Sequence, residues 1–334
     1  MKSWQEIEAL ADEHGFISEP VYEEHACTFP VCPPQHPEVR EIETHVWRTY
    51  LSTTKRRDKK SKMYQEMFRY EWYEGRKRSG FWGNIEKGLQ LVATGKTPTI
   101  SILSAGSGRD VIKVGLAAGV FESTAPAQIR GTHKEIDKKY LRLAKPGARI
   151  MVTEFDDNNL SALKQTVSEL IACGALTDEM ISIRKWDFRL SAPLATGTQD
   201  VIVFSLTGNY ATLDEQPLIL QEIARCVKPG GHLIASTMAE KISFKKAHSY
   251  LSRLRLALTT PLGLPVVLDF ATWQIRWAKM AAIMHDKGYW KNVDADVWMD
   301  FLKPAGMEEI IIYPGPCRHL PVEVLVAKKG AARR

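Results

Sequence analysis

The pattern of apolar positions divides the chain into regions of different character. Residues 1–95 carry apolar side chains at helical spacing, which predicts helices. Residues 97–236 alternate short apolar runs with helical stretches, which indicates βαβ units and a parallel sheet. The five runs are TISIL at 99–103, RIMVT at 149–153, MISIR at 180–184, VIVF at 201–204 and HLIA at 232–235.

The last third of the chain departs from this alternation. Residues 238–300 return to helical spacing, and the runs EIIIY at 309–313 and VEVLVA at 322–327 follow them. The interval between these two runs is too short for a helical crossover, so they are predicted to pair as an antiparallel hairpin. We therefore predict an α/β fold with a doubly wound, seven-stranded, mostly parallel sheet over 96–334. A helical lid at 1–95 and a helical insertion at about 238–300 would complete it.

Composition excludes several classes of protein. The chain has 334 residues, 44% of them hydrophobic and 25% charged, with a net charge of +6, values that argue against disorder, collagen-like repeats and coiled coils. The five cysteines are odd in number and form no CxxC motif, so we expect neither a disulfide framework nor a metal site. No apolar run approaches about 18 residues, and we expect a cytoplasmic protein.

A glycine-rich turn follows the first predicted strand directly. Residues 104–110 read SAGSGRD and precede a predicted helix at 111–118. A turn of this kind between a strand and a helix lets a ligand approach the backbone closely and points helix N–H groups towards it. Taken alone, the motif is weak evidence, because a tight turn that binds no ligand has the same pattern.

Polar residues follow the next predicted strands. Glu154 closes the second strand, where a carboxylate beside the glycine turn can accept both ribose hydroxyls of a nucleoside. Trp186 and Asp187 follow the third strand, where the acid can accept an adenine amino group and the indole can pack on the ring. The segment SLTGNY at 205–210 follows the fourth strand, and VKPGG at 227–231 precedes the fifth.

In this order, ILSAGSGRD, MVTEFD, KWDF, DVIVFSLTGNY and VKPGGHLIAST resemble the class I S-adenosylmethionine-dependent methyltransferases. The resemblance covers about 97–237 and 305–328, including the closing hairpin. A dinucleotide-dependent dehydrogenase is disfavoured, because the turn lacks the third glycine of GxGxxG. The resemblance implies a Rossmann-like transferase with S-adenosyl-L-methionine as co-substrate.

The resemblance also implies a role for each motif. The turn would pass under the methionine part of the co-substrate, Glu154 would bind its ribose, and Asp187 would bind its adenine amino group. The implied contacts are Ser104, Ala105, Gly106, Ser107, Gly108, Asp110, Glu154, Phe155, Trp186, Asp187, Ser205, Leu206 and Thr207. Of these, Phe155 would pack on adenine, and the last three would lie near the sulfonium.

Two departures from the family pattern leave alternatives open. Ser104 stands where the family usually has an acid, and Asp110 replaces the last glycine of the turn. Asp110 therefore either contacts the ammonium group of the co-substrate or only caps the helix. The interval from Gly106 to Glu154 is 48 positions, which predicts an extra helix at 134–143 and leaves Asp156 as the alternative to Glu154.

The regions outside the sheet are expected to select the acceptor, because the cofactor-binding fold is generic. The aromatic segment 63–81 offers Tyr70 and Tyr73 as candidate catalytic residues, and Tyr210 is the third. Aromatic rings attract a sulfonium cation, although these rings could instead pack the lid onto the sheet. The insertion at 241–300 suits a hydrophobic or aromatic substrate. His248, His285 and His319 are candidate bases, although each could instead be a surface or helix-packing histidine.

Three functions remain open at this level. Methyl transfer to an oxygen, nitrogen or sulfur atom of a small molecule, in small-molecule biosynthesis, is favoured. The second is attack on the aminobutyrate γ-carbon of the same co-substrate, for example ring closure to azetidine-2-carboxylate with release of methylthioadenosine. The third is a non-catalytic binding module. We expect neither a nucleic acid nor a membrane as partner, and a homodimer stays open.

Overall fold

The computed structural model describes residues 85, 88–89, 95, 97–106, 108–129, 137–155, 157–238, 284–314 and 322–331. Almost all of the predicted lid and most of the predicted helical insertion lie outside these residues. Tyr70, Tyr73, Ser107 and Asp156 also lie outside them. The structure therefore bears on the sheet, its flanking helices and the loops between them.

The described elements alternate between strands and helices, as the apolar pattern predicts. In chain order the strands are β1 (Thr99–Leu103), β2 (Phe121–Ser123), β3 (Leu141–Leu143), β4 (Arg149–Glu154), β5 (Ile181–Lys185), β6 (Gln199–Ser205), β7 (Val227–Met238), β8 (Met307–Pro314) and β9 (Val322–Lys329). The α-helices are α1 (Arg109–Ala117), α2 (Asp157–Ala172), α3 (Glu215–Cys226) and α4 (Ala295–Leu302).

Seven strands form one sheet in the order β5-β4-β1-β6-β7-β9-β8. The first five run parallel, while β9 is antiparallel to both β7 and β8. Each of the seven predicted apolar runs overlaps one of these strands, and Met180 alone falls outside, in a 3₁₀ turn before β5. The predicted fold class is thereby confirmed, including the antiparallel pair at the end of the chain.

Helices cover the sheet on both faces, which explains why its central strands are apolar at nearly every position. On one face, α1 and α2 contribute Val111, Val114 and Leu163 to a buried cluster beneath β1 and β4. On the other face, α3 and α4 contribute Ile223 and Trp298 to a second cluster. Two apolar layers therefore pack the sheet between the helices.

The predicted helix at 134–143 is wrong over the part that the structure describes. A short 3₁₀ turn, Lys138–Tyr140, leads into β3, which pairs antiparallel with β2. The sequence LRL at 141–143 has a period of two, because Leu141 is buried and Arg142 faces solvent. This alternation, and the pairing of Leu143 with Phe121, favours a strand over a helix.

The order of the strands creates a crevice at one edge of the sheet. From β1 the chain crosses to β4 and β5 on one side, then returns to β6 and β7 on the other. Such a switch point separates the loops at the carboxyl ends of β1 and β6, and open α/β sheets bind ligands there.

None of the described helices is long and apolar enough to cross a membrane.

Candidate functional site

The loop after β1 turns sharply away from the sheet. Ser104 adopts a left-handed conformation, with φ of 58°. Its N–H donates to Thr153 Oγ1 at 3.1 Å, and the N–H of Ala105 donates to the Thr153 carbonyl at 2.9 Å. A left-handed serine is strained, and such conformations persist where neighbouring contacts hold them, often at functional sites. Strand β4 therefore fixes the start of the glycine loop.

The two described glycines of this loop have different surroundings. Both have positive φ, 57° at Gly106 and 87° at Gly108. A Cβ atom at Gly108 would lie 3.0 Å from the side chains of Leu163 and Thr166 on α2, whereas one at Gly106 would meet nothing within 4 Å. The loop is therefore packed at Gly108 and open at Gly106, where a ligand can approach the backbone.

The carboxylate of Glu154 lies against the open part of the loop. Its Oε2 accepts the N–H of Gly106 at 2.7 Å, and its Oε1 accepts the N–H of Phe155 at 2.9 Å. The side chain is 7% exposed, and each carboxylate oxygen can accept more than one hydrogen bond. The structure thus brings Glu154 to the glycine loop despite the long insertion between them. The neighbouring Phe155 presents a ring that is 45% exposed.

The residues after β5 lie beside Glu154, with Trp186 and Asp187 differently placed. The backbone N–H of Trp186 donates to the Glu154 carbonyl at 3.2 Å. Its indole is only 3% exposed and donates to the carbonyls of Leu190 and Ser191. The indole is therefore a core side chain, which leaves little of its surface for the ring packing expected from the sequence. The Asp187 side chain is more accessible than the indole.

Arg189 links the loop after β5 to the loop after β6. Its backbone N–H donates to Asp187 Oδ1 at 2.9 Å, and its Nη2 donates to the Tyr210 carbonyl at 2.7 Å. Its Nε lies 3.5 Å from Glu215 Oε1, with both side chains largely buried. Sequence analysis missed this residue, because a single arginine after a strand gives no indication of partners 21 and 26 positions away.

The loop after β6 begins as the loop after β1 does, with a left-handed residue that is not glycine. Leu206 has φ of 54°, and its N–H donates to both the carbonyl and the Oγ of Ser236, each at 3.1 Å. Ser205 Oγ lies 3.0 Å from the same Ser236 Oγ, and Thr207 Oγ1 donates to the Ser205 carbonyl at 3.1 Å. The predicted residues 205–207 therefore line the other side of the crevice.

Tyr210 packs against the segment that precedes α4. Its ring meets that of Trp290 edge to face, with 4.7 Å between centroids. The N–H of Lys291 donates to the carbonyls of Asn209 and Ala211, at 3.2 and 3.1 Å. Of the three candidate catalytic tyrosines, Tyr210 alone lies within the described residues, and it follows the carboxyl end of β6.

The structure includes no cluster of three metal-ligating side chains among the residues it describes.

Asp110 is the acidic residue of the first turn of α1. Burial raises the pKa of this carboxyl above its usual range, and the positive charges of Lys113 and Arg109 oppose that increase only in part. The helix starts at Gly108 without a side-chain cap, so Asp110 does not act as the N-cap. A buried carboxyl group whose pKa is raised is a candidate for binding a positively charged ligand group.

We expect Asp110→Asn to stabilise the fold at alkaline pH by about 1 kcal/mol. Because the folded-state pKa lies above the unfolded-state value, the native protein binds the proton more tightly, and stability falls as pH rises through that interval. Asparagine cannot ionise, so the variant avoids the free-energy cost of a buried negative charge. Its gain in stability over the unchanged protein should therefore shrink towards pH 4. Urea unfolding at pH 8, 6 and 4 measures it, with exposed Asp178→Asn as control. A less stable Asp110→Asn protein at pH 8 would contradict the prediction.

Comparison with known proteins finds a family model that matches part of the chain. Residues 137–235, which run from before β3 into β7, match the family model described as a methyltransferase domain. Over these residues the chain is similar to a methyltransferase domain. The sheet order, with the closing antiparallel strands, agrees with the fold that the resemblance to the class I S-adenosylmethionine-dependent methyltransferases implies. The same resemblance implies S-adenosylmethionine as co-substrate.

Several methyltransferases are among the solved structures that match the chain. The CurJ carbon methyltransferase is 10% identical over 70% of this chain and 49% of its own, with a TM-score of 0.42. An O-methyltransferase family protein from Burkholderia thailandensis is 12% identical over 89% of this chain and 71% of its own, with a TM-score of 0.41. Human N-acetylserotonin methyltransferase, solved with S-adenosylmethionine, is 15% identical over 75% of this chain and 53% of its own, with a TM-score of 0.38. The chain thus spans about half the length of the first of these, and no curated protein matches it in sequence.

Proposed function

We propose that the protein transfers a methyl group from S-adenosylmethionine to a small molecule. The observation that carries this proposal is the contact between Glu154 and the glycine loop, with 2.7 Å between Oε2 and the Gly106 nitrogen. This contact joins the two features that bind the nucleoside and the amino acid halves of the co-substrate in the class that the motifs resemble. Both lie at the switch point of the sheet, where such a ligand is expected.

The described residues fit the co-substrate part by part. The open backbone at Gly106 suits the close approach of the methionine portion, and the carboxylate of Glu154 suits the ribose hydroxyls. The half-exposed ring of Phe155 offers an apolar face to adenine, and Asp187 on the neighbouring loop offers an acceptor for its amino group. Residues 205–207 would then border the sulfonium, and Asp110 would face the ammonium group.

The chain contributes alignment and exclusion of water to the proposed reaction. S-adenosylmethionine supplies a methyl group made electrophilic by its sulfonium. Loops held by backbone hydrogen bonds to β4 and β7 keep the two halves of the site in fixed relation, which lowers the entropic part of the barrier. The aromatic pair of Tyr210 and Trp290 would shield the acceptor side from solvent.

We further infer that the acceptor is a hydrophobic or aromatic metabolite of a biosynthetic reaction, methylated in the cytoplasm. The half-buried Tyr210 ring and its aromatic neighbour support an apolar acceptor. Tyr70 and Tyr73, outside the described residues, stay candidates for contacting it, and a homodimer stays a proposal. Free thiols at Cys173 and Cys226 are compatible with a reducing compartment.

Product analysis separates the candidate functions. The purified protein is incubated with S-adenosylmethionine alone and with mixtures of small acceptors, and the nucleosides are identified by mass spectrometry. We expect S-adenosylhomocysteine to form only when an acceptor is present, and Glu154→Ala to abolish it. Methylthioadenosine produced in proportion to enzyme, without acceptor, would overturn the proposal in favour of attack on the aminobutyrate carbon. Lack of saturable binding would indicate a module without this activity.

A further inference from the structure

A lysine lies beside Glu154 on the neighbouring strand. Strands β4 and β5 run parallel, and their last residues, Glu154 and Lys185, are partners in the register. The backbone ladder continues past this pair, because the N–H of Trp186 donates to the Glu154 carbonyl at 3.2 Å. Neighbouring strands of a sheet lie about 4.8 Å apart, so the two side chains start close together at the carboxyl edge of the sheet.

Both side chains extend from the same face of the sheet. Partner residues of parallel strands share a face, and so do residues two positions apart along one strand. Two positions earlier, the partners Val152 and Ile183 both pack in the buried cluster beneath α1 and α2. Trp186, one position later, belongs to the cluster on the opposite face. Glu154 and Lys185 are therefore on the side that α1 and α2 cover.

The lysine is as deeply buried as the carboxylate. Each residue is 7% exposed, although lysine and glutamate are rarely buried unless opposite charges are near. The N–H groups of Gly106 and Phe155 occupy one lone pair on each carboxylate oxygen. Burial disfavours the ionised form of a carboxyl group, whereas a nearby cation favours it. Lys185 supplies such a cation from the adjacent strand.

The described acids on the elements around this pair have cations of their own. These groups are Asp110 with Arg109 and Lys113, Glu169 with Lys138, and Asp187 with Arg189. Lys164, the other described cation of α2, is exposed. Asp156 and the side chain of Asp157 lie outside the described part of the chain. Among the described cations on these elements, Lys185 is thus the one that the register places beside Glu154.

We propose that Lys185 is a positioning residue for co-substrate binding, an inference that rests on the proposed methyl transfer. Its buried positive charge keeps Glu154 ionised, so each carboxylate oxygen retains a lone pair for a ribose hydroxyl. A protonated Glu154 carries a hydrogen on one oxygen and offers the two hydroxyls a poorer set of acceptors. Lys185 therefore acts through Glu154 and does not itself touch the ligand.

The pH dependence of binding tests this role. Affinity for S-adenosylhomocysteine is measured by isothermal titration calorimetry at pH 8, 6 and 5. The unchanged protein is compared with Lys185→Met, which keeps an unbranched side chain without its charge. We expect the ratio of the two affinities to rise at least about tenfold from pH 8 to pH 5, because Glu154 without its cation takes up a proton in that range. Groups that titrate in both proteins, such as Asp110, cancel in this ratio.

Three further variants assign the effect to the charge of Lys185 and to Glu154. In proteins that carry Glu154→Gln, Lys185→Met should no longer change the pH dependence, because the amide does not titrate. Lys185→Arg retains the charge and should restore the pH profile of the unchanged protein. Lys164→Met removes an exposed cation from α2 and should leave the profile as it is. Where Lys185→Met does not unfold cooperatively, Lys185→Gln takes its place.

Two results would overturn the inference about Lys185 alone. The first is a ratio of affinities that stays constant with pH in a folded Lys185→Met protein. The second is a change in pH dependence that persists in the Glu154→Gln background, since another group would then be titrating. An unchanged protein that binds no S-adenosylhomocysteine would instead contradict the proposed function, and the role given to Lys185 with it.

Discussion

Replacing Glu154 with alanine is expected to lower the affinity for S-adenosylhomocysteine by roughly a thousandfold. Two hydrogen bonds from ribose hydroxyls to a carboxylate are worth about 2 kcal/mol each, and about 4 kcal/mol corresponds to three orders of magnitude. The same change removes the acceptor for the Gly106 and Phe155 N–H groups, so the glycine loop loses its anchor on β4 as well. Isothermal titration calorimetry measures the effect directly.

Two further variants separate the charge of Glu154 from its shape. Glu154→Gln retains one acceptor oxygen, but its amide nitrogen must face either the Gly106 or the Phe155 N–H, so we expect an intermediate loss of about thirtyfold. Glu179→Ala removes an exposed carboxylate before β5 and should leave the affinity unchanged. Unchanged binding by Glu154→Ala, in a protein that still unfolds cooperatively, would show that another group binds the ribose.

The sheet was predictable because its strands are buried on both faces. A central parallel strand is covered on both faces, so it forms a nearly continuous apolar run, and its short length and the turn residues on either side distinguish it from a buried helix. Strand β1 matches its predicted bounds at both ends. Strand β7 starts five residues earlier than expected, because the turn VKPGG is drawn into the pairing at Val227 with Gln199. Strands β2 and β3 in the insertion have three residues each, too few for their alternation to be recognised from the sequence before the structure shows which residues are buried.

The site was predictable only where chemistry follows a strand directly. Glu154 and the glycine loop could be predicted because each stands at the carboxyl end of a strand, where the sheet order brings them together. Contacts between distant segments could not be predicted, as the hydrogen bond between the side chains of Asn209 and Asn292 spans 83 positions. For Trp186 the sequence suggested a contact that the structure leaves little room for. A tryptophan beside an acid suggests stacking on a ligand ring, whereas this indole is buried among core side chains.

Replacing Arg189 with methionine is expected to lower the free energy of unfolding by about 3–5 kcal/mol, or the melting temperature by about 10 °C. The guanidinium lies between two carboxylates, 3.9 Å from Asp187 Oδ1 and 3.5 Å from Glu215 Oε1. Methionine has a similar volume but leaves both acids without this cation, and the Tyr210 carbonyl loses its donor. Thermal unfolding followed by circular dichroism measures the loss.

The same variant tests whether the two halves of the site are connected through this side chain. Because the Arg189 guanidinium lies 3.9 Å from Asp187 Oδ1 and donates to the carbonyl of Tyr210, its loss should weaken S-adenosylhomocysteine binding by about tenfold as well as destabilise the fold. Arg189→Lys keeps the charge but cannot form the forked set of contacts, so it should recover only part of either effect. Arg149→Met removes an exposed cation from the start of β4 and should change neither. A destabilised Arg189→Met protein with unchanged affinity would make Arg189 a structural residue alone, and adenine recognition would then not depend on its contact with Asp187.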